Sequence, residues 1–287
     1  MNEPNKLKKF IDLIKKFEKD LSFKIAEIGA HPYGDPKENF HQLLDYFPNS
    51  KVYAFEVDEE ECKKLNTTCK KGIEFFPFAL GEKKEKRKFY QTYHPVCSSL
   101  YEPNEKLIRN YNNLNIAYLK EITEIETISL DEFIKLNKID DIDFIKIDIQ
   151  GAELDVFKGA NKVLDKVLMI VSEVEFVHQY INQPLFGDVS SFLDGKEFMF
   201  HKFLGFGGRT LKPVIMGNNK NFATQQFWSD AIFIKKINDV SKMESLNLLK
   251  ASILSFIYGS PDLTFFYLTA YDKKNKTNIC NLYQKIY

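Results

Sequence analysis

The stretch that decides the fold is Lys24–Gly34, KIAEIGAHPYG, in which a short apolar run ends in a turn at Gly29. A strand that enters such a turn before a helix marks the place where ligands of doubly wound sheets bind. Apolar runs that alternate with polar helical stretches are typical of a parallel sheet covered on both faces. The pattern therefore predicts a doubly wound α/β sheet. Its predicted strands are Phe23–Ile28, Val52–Phe55, Ile73–Phe78, Ile142–Ile147, Val167–Val174 and Ala231–Ile234.

Composition limits the classes of function. The chain has 287 residues, 44% of them hydrophobic, with 40 basic residues against 40 acidic ones. A zero net charge argues against a nucleic-acid or anionic-membrane binder, because both need a surplus of cations. The cysteines form no CxxC pair, so we expect free thiols in a reducing cytoplasm. The first residues lack a signal-peptide pattern, and no apolar run is long enough for membrane insertion.

Three segments follow from the periodicity. Residues 1–22 are predicted to form an amphipathic helix that packs on the core, and residues 23–237 form the main domain. Residues 238–287 are predicted to be a helical extension, whose apolar stripe either covers the sheet or pairs with a second subunit in a homo-oligomer. Within that extension, the segment Leu263–Tyr271 is also compatible with a β-strand. The excursion at Lys83–Lys120 is interpreted as part of a lid or substrate wall.

Two positions indicate the kind of cofactor. Glu56 follows the second predicted strand, where a carboxylate accepts both hydroxyls of a ribose. A dinucleotide-binding turn would need a second glycine at the position of His31, because the backbone there approaches the pyrophosphate. S-adenosylmethionine (SAM) has no pyrophosphate, so His31 favours SAM over NAD. Phe78 and Ala79 lie at the end of the third predicted strand and either line an adenine site or belong to the core.

The strongest motif is Ile145–Glu153, IKIDIQGAE. Asp148 ends the predicted strand, and Gln150 and Gly151 separate it from the following helix. This placement favours a functional side chain at the mouth of the crevice over a simple helix N-cap. Glu153, in the first helical turn, is explained by the helix dipole alone.

Two further acids end the next predicted strand. Strand alternation places Glu173 and Glu175 on the same face, close to Asp148 if the strands are neighbours. Several carboxylates in one crevice imply a raised pKa, a bound metal ion or a cationic ligand such as the sulfonium of SAM. The alternative for Glu175 is a solvated position or an ion pair with Lys146.

These segments together resemble the FkbM family of SAM-dependent methyltransferases. The resemblance spans about Ile25 to Lys235 and rests on motifs in the same order. They include Glu27–Gly34, Phe55-Glu56, Ala79-Leu80-Gly81, Ser98-Ser99-Leu100, Asp143–Ala160, Glu173–Phe176 and Ser229–Phe233. It implies the Rossmann-like class I methyltransferase fold, a seven-stranded, mostly parallel sheet whose final strand is antiparallel, with helices on both faces.

The resemblance also implies SAM contacts. The residues predicted to bind the cofactor are Glu27, Gly29, Ala30, His31, Glu56, Val57, Ala79 and Asp148. The chain departs from the family pattern at His31-Pro32-Tyr33-Gly34, where the second glycine comes one residue later. Ser98 and Ser99 match a family motif, although a helix N-cap explains them equally well.

Methyl transfer to a hydroxyl needs a general base within hydrogen-bond reach of the acceptor. The candidates are His178, just beyond the fifth strand, then Glu173 and Asp148. His178 is equally compatible with a surface position. The alternative is that Asp148 and Glu173 bind a divalent ion such as Mg²⁺, which would lower the pKa of the hydroxyl.

The sequence thus predicts an O-methyltransferase that acts on a hydroxyl of a sugar, a glycan or another small polar metabolite. Family analogy supplies this acceptor class. Two alternatives stay open: an NAD-dependent sugar-modifying oxidoreductase, and a non-catalytic scaffold that binds SAM or a partner. Binding of NAD alone would favour the oxidoreductase, and binding of neither cofactor would favour the scaffold.

Overall fold

The computed structural model describes residues 3–30, 38–220 and 222–286. Their strands are β1 (Lys24–Ile28), β2 (Lys51–Phe55), β3 (Ile73–Phe76), β4 (Ala79–Leu80), β5 (Glu85–Thr92), β6 (Leu119–Ile128), β7 (Phe144–Ile147), β8 (Met169–Glu175), β9 (Phe198–Phe203) and β10 (Trp228–Lys235). Seven of them form the central sheet, in the order β3-β2-β1-β7-β8-β10-β9. β10 runs antiparallel to both of its neighbours, whereas the other paired neighbours are parallel. The predicted sheet, with its antiparallel final strand, is confirmed.

Helices cover both faces of this sheet. They are α1 (Glu3–Ile14), α2 (Leu43–Tyr46), α3 (Glu59–Thr68), α4 (Glu105–Ile108), α5 (Leu130–Leu136), α6 (Glu153–Lys158), α7 (Asn161–Lys166), α8 (Phe186–Asp194), α9 (Ser245–Ile257), α10 (Pro261–Asn275) and α11 (Ile279–Gln284). One buried cluster joins α1, α2 and the last three helices to the sheet, and a second joins α5–α8 to the opposite face. All four residues of β7 are buried because the strand is covered on both sides.

The N-terminal and C-terminal helices share one core. The Phe10 ring of α1 lies 4.7 Å from the Phe256 ring of α9 and 5.2 Å from the Tyr283 ring of α11. Burial of a large apolar side chain such as Phe10 contributes about 1.5–3 kcal/mol. Leu263–Tyr271 lies within α10, so the interpretation of this segment as a strand is wrong. The three predicted segment boundaries stay a prediction.

A small second sheet lies at the Lys83–Lys120 excursion, which contains all of β5 and the first residues of β6. It has the order β4-β6-β5, and β5 and β6 are antiparallel. Ion pairs cross its exposed face, among them Lys86 with Glu124 and Lys84 with Glu126. Because charged and polar residues interrupt both strands, the apolar runs that reveal the central strands are absent. No helix of the described ranges is long and apolar enough to span a bilayer.

Candidate functional site

A cavity of about 1120 Å³ lies where the strands β1, β2, β7 and β8 end. This is the switch point of the sheet, because the chain leaves β1 toward β2 on one side and β7 is its neighbour on the other. We call the side formed by Glu27, Gly29, Glu56, Asp148 and Glu173 the strand wall, since these residues lie in or directly after the strands. The other side, which we call the loop wall, includes Tyr93, Cys97, Gln179 and Arg209 from loops and Trp228 from the first position of β10.

The turn after β1 depends on Gly29. Its φ of +80° lies in the left-handed region, and a Cβ atom here would lie 1.9 Å from the carbonyl oxygen of Asp148. The backbone N–H groups of Gly29 and Ala30 both donate to the carbonyl of Phe55, at 3.2 and 3.1 Å. The turn therefore packs directly against the ends of β2 and β7. His31, predicted to bind the cofactor, lies outside the described residues.

Glu56 directly follows β2 and lines the cavity together with Val57 and Ala79. The backbone N–H of Asp58 donates to its carboxylate at 3.0 Å, which fixes the side chain in place. Burial raises the pKa of Glu56, although hydrogen bonds from the backbone of Asp58 and Val57 act in the opposite direction. The carboxylate is thus positioned, partly buried and open to a ligand with hydroxyl donors.

Charged side chains of β1, β7 and β10 meet on one face of the sheet beside the cavity. The carboxylate of Glu27 lies 2.9 Å from Nε2 of His41, and Nζ of Lys146 donates to Asp230 at 2.9 Å. Burial alone would lower the pKa of Lys146, but Asp148, Asp230 and other acids raise it. The alternative pairing of Lys146 with Glu175 is wrong, since Asp230 takes that place.

Gln150 organises the turn after β7, although the sequence pattern marks it only as a residue between Asp148 and the following helix. Its side-chain nitrogen donates to Asp148 at 2.9 Å and to Glu173 at 2.7 Å, so it joins the two predicted carboxylates. Its backbone has a φ of +58°, and the hydroxyl of Ser99 donates to its carbonyl at 2.7 Å. The hydroxyl of Tyr180 lies 3.1 Å from Oε1 of Gln150.

The two serines of the predicted family motif stabilise loops. Ser99 accepts from the backbone N–H of Tyr101 and donates to Gln150, and Ser98 accepts from the N–H of Thr92. Neither is a helix N-cap, because α4 is capped by Asn104 instead. Ser99 therefore connects the loop wall to the turn after β7.

Three glutamates make this corner strongly acidic. Glu153 is buried and accepts from the backbone N–H groups of Ile149 and Gly151, at 2.8 and 3.3 Å. Burial raises the pKa of Glu153 to about 7. Burial and the repulsion of neighbouring carboxylates raise the pKa values of Glu173 and Glu175 well above their usual range. Glu175 is 2% exposed, so the solvated position considered for it is wrong.

The carboxylates of this corner are candidate ligands for a divalent ion. Oxygen atoms of Asp148, Glu153 and Glu173 lie within 4.8 Å of one another, which is close enough to hold one. However, the Gln150 amide donates to two of them, and Glu153 is already bound to backbone N–H groups. These three carboxylates therefore already accept hydrogen bonds from the chain itself, and we assign no step to a metal.

His178 lies apart from the other predicted catalytic residues. Its side chain is exposed, and the residues that line the cavity after β8 are Gln179 and Tyr180 instead. The strand β8 ends at Glu175, and Nδ2 of Asn104 donates to the backbone carbonyl of His178 at 2.9 Å. The geometry thus brings Asp148 and Glu173 together at the cavity and leaves His178 outside it.

A Rossmann-like sheet of this order, with acids at the strand ends and a glycine turn at the switch point, defines a class of proteins that bind nucleotide-type cofactors. The model of the FkbM methyltransferase domain matches residues 27–203, which is more than half of the chain. The chain therefore belongs to the FkbM family and is a methyltransferase.

Solved structures of low identity were also found. One is described as a methyltransferase from Thermoplasma acidophilum, with 9% identity, a TM-score of 0.35, and coverage of 76% of this chain and 70% of the other. Another is LepI in complex with SAM, with 8% identity, a TM-score of 0.32, and coverage of 78% of this chain and 46% of the other. No curated protein matches the chain.

Proposed function

We propose that this protein transfers a methyl group from SAM to a hydroxyl of a sugar or another small polar metabolite. The observation that carries the proposal is the convergence of Glu56, the Gly29 turn and Asp148 on one cavity at the switch point. A volume of about 1120 Å³ exceeds the range typical for one small ligand, so it suits a cofactor and an acceptor together. The cytoplasmic location and the homo-oligomer stay predictions.

The residues of the strand wall fit SAM. Glu56 would accept hydrogen bonds from the ribose hydroxyls, and Phe78 and Ala79, which line the same cavity, would contact the adenine. The close approach of Gly29 to Asp148 leaves no room for a larger residue where the turn meets β7. Glu27 and Asp148 place negative charge beside a cationic ligand. When bound, SAM supplies a methyl group on a positively charged sulfur.

Glu173 is the proposed general base. Its carboxylate lines the cavity, and burial together with Asp148 and Glu175 raises its pKa well above the usual range. A base of raised pKa accepts a hydroxyl proton more readily once it is itself deprotonated. Activity should therefore rise with pH through the raised pKa of Glu173. Gln150 holds this carboxylate next to Asp148 and so positions it.

The loop wall supplies polar and aromatic groups for the acceptor. Tyr93 and Trp228 present aromatic rings, and Gln91 and Gln179 present amide groups to the cavity. Aromatic faces together with polar side chains suit a hydroxylated, ring-shaped molecule. These groups support a sugar-like acceptor but leave its identity to experiment.

The test of the cofactor is a calorimetric titration with SAM, S-adenosylhomocysteine and NAD. We expect micromolar binding of SAM or S-adenosylhomocysteine, about −8 kcal/mol, and at least tenfold weaker binding in Glu56→Ala. Glu60→Ala is the matched control, because Glu60 lies on α3 close to Glu56 but is exposed and does not line the cavity. Binding of NAD alone would contradict the proposal. Binding of SAM without turnover on any hydroxyl acceptor would favour a scaffold.

A further inference from the structure

Arg209 is a cation of the loop wall without an acidic partner. Its guanidinium carbon lies 4.9 Å from the centre of the Trp228 ring, and one terminal nitrogen donates to the carbonyl of Gly208 at 2.8 Å. Its Nε atom is buried and has no hydrogen-bond partner. Among the described residues, no carboxylate lies within ion-pair distance of Arg209. Arg209 lines the cavity, and apart from the bond to Gly208 the donors of its terminal nitrogens have no acceptor among the described residues.

Backbone contacts just before Arg209 fix this segment beside Trp228. The N–H of Gly207 donates to the carbonyl of Trp228 at 2.9 Å, and the N–H of Phe227 donates to the carbonyl of Gly207 at 2.8 Å. A Cβ atom on Gly207 would lie 2.1 Å from the Trp228 indole, so only glycine allows this approach. Phe227 and Trp228 in turn pack on a small core under the loop wall. The contacts of Gly207 with Phe227 and Trp228 thus fix the segment that bears Arg209.

Cys97 lines the cavity together with Arg209 and Asp148. The charges of both groups act on its thiol. Burial raises the pKa of Cys97 to about 11, and the thiol is therefore neutral at physiological pH. It cannot serve as the counter-ion of Arg209. A ligand that reaches from Asp148 past Cys97 would meet the guanidinium.

We propose that the acceptor carries an anionic group, a carboxylate or a phosphate, which Arg209 binds while the reacting hydroxyl lies beside Asp148 and Glu173. This inference rests on the proposed function and deepens it, because it names the acceptor class. Arginine is suited to the task, since its planar donors match the two oxygens of a carboxylate or phosphate. The acids of the strand wall would repel such a group, which orients the acceptor with its anion toward the loop wall.

Trp228 offers a direct measurement, because it is the only tryptophan of the sequence. Its fluorescence is titrated with inorganic phosphate, glucuronate and glucose at constant ionic strength, in protein loaded with S-adenosylhomocysteine. We expect a saturable change with phosphate or glucuronate and none with glucose. The two anions also separate a phosphate site from a carboxylate site. No response to either anion, or an equal response to glucose, overturns the inference.

Variants of Arg209 test the assignment. Arg209→Gln should weaken the anion response at least tenfold, and Arg209→Lys should retain part of it, because the charge stays but the planar donors are lost. Arg109→Gln is the matched control, since Arg109 also stacks on an aromatic ring, that of Tyr118 at 4.5 Å, but pairs with Glu105 and does not line the cavity. An unchanged response in Arg209→Gln contradicts the proposal.

A transfer assay extends the test to the reaction. Labelled SAM is incubated with methyl glucuronoside, glucose 1-phosphate and methyl glucoside, and we expect at least tenfold higher kcat/KM for an anionic acceptor in the native protein only. Preference for the neutral glucoside overturns the inference. Calorimetry with SAM on the same preparation separates the two failures: SAM binding without anion binding rejects only this inference, whereas absence of SAM binding rejects the proposed function.

Discussion

The strand wall and the loop wall of the cavity differ in charge and in how the chain builds them. The strand wall is mainly acidic, and its residues lie in or directly after strands of one hydrogen-bonded sheet, such as Glu56 after β2 and Asp148 after β7. The loop wall brings together segments far apart in sequence, such as Cys97 and Arg209. Its support is the small core of Ile108, Tyr111, Leu114 and Phe227.

This difference suggests a division of labour. A sheet edge holds its side chains at fixed spacing, which suits a cofactor that is the same in every turnover. Loops carried on a rigid scaffold vary readily, which suits recognition of an acceptor. In our account, the acidic strand wall binds the cationic cofactor and removes the proton, and Arg209 with Trp228 selects the acceptor. Changes on one wall should leave the function of the other largely intact.

The largest effect should come from Glu173 on the strand wall. Glu173→Gln keeps an oxygen that accepts from Gln150 but removes the base, so we expect kcat to fall about 10²–10⁴-fold. The SAM affinity from calorimetry should change far less than kcat. Glu197→Gln, at an exposed residue that pairs with Lys236, is the control and should have native kinetics. Native kcat in Glu173→Gln would remove Glu173 from the mechanism.

The next largest effect should come from adding a side chain at Gly29, in the turn after β1. Gly29→Ala would put a Cβ atom against the backbone of Asp148 in a left-handed conformation, and we expect it to reduce the free energy of unfolding by about 3 kcal/mol. Gly187→Ala is the matched control, because no atom lies within 4 Å of its added Cβ and it lies in α8. That change should be neutral or stabilising by about 0.5–1 kcal/mol. Equal denaturant midpoints for the two variants would show that the close approach is not required.

A smaller effect is expected on the loop wall. Gly207→Ala forces the Trp228 ring to move, and we expect a loss of about 1–2 kcal/mol with a shifted tryptophan emission maximum. The affinity for SAM should stay native, because Trp228 belongs to the other wall. A variant that loses SAM affinity together with the native emission would show that the walls are coupled.

The smallest effect concerns pH and the buried acids behind the strand wall. The pKa values of Glu153, Glu173 and Glu175 are raised in the folded state, so the folded protein binds more protons than the unfolded chain. Their contribution to stability is full at pH below about 4.5, the usual carboxyl value, and is lost as pH rises through the raised values, about 7 for Glu153. We expect Glu175→Gln to reduce this loss by on the order of 1 kcal/mol at pH 8.

Denaturant titrations of both proteins from pH 4.5 to pH 8 measure this difference. The two profiles should converge at the acidic end, where Glu175 is protonated in both states, and diverge toward pH 8. The difference reports Glu175 together with its effect on Glu173, whose pKa Glu175 raises. Parallel profiles over the whole range would show that Glu175 carries no raised pKa.

The strand wall could largely be predicted from the sequence. Gly29, Glu56 and Asp148 directly follow apolar runs, and the ends of neighbouring parallel strands meet at one edge of the sheet. For the same reason the sequence predicts that Glu173 lies near Asp148. Alternation could not show that Glu175 is fully buried, because that depends on the segments packed around the end of β8.

The loop wall could not be predicted in the same way. His178 and Tyr180 are two residues apart, and only the point where the chain turns away from β8 decides that Tyr180 reaches the cavity. The position of the Gln150 side chain depends on a left-handed backbone conformation, which no apolar pattern in the sequence reveals. The segment of Arg209 is held by contacts of Gly207 with Trp228 at the start of β10, and no periodicity around Gly207 predicts that pairing. Such contacts between distant segments leave little local signal in a single sequence.

The most direct measurement of the division between the walls is a crossed titration of Glu56→Ala and Arg209→Gln. Each variant is titrated with SAM by calorimetry and with phosphate and glucuronate by Trp228 fluorescence. Our account predicts that Glu56→Ala weakens SAM binding at least tenfold and keeps the anion response, whereas Arg209→Gln does the reverse. If either variant weakens both ligands to the same extent, the two walls do not have separate functions and the account is contradicted.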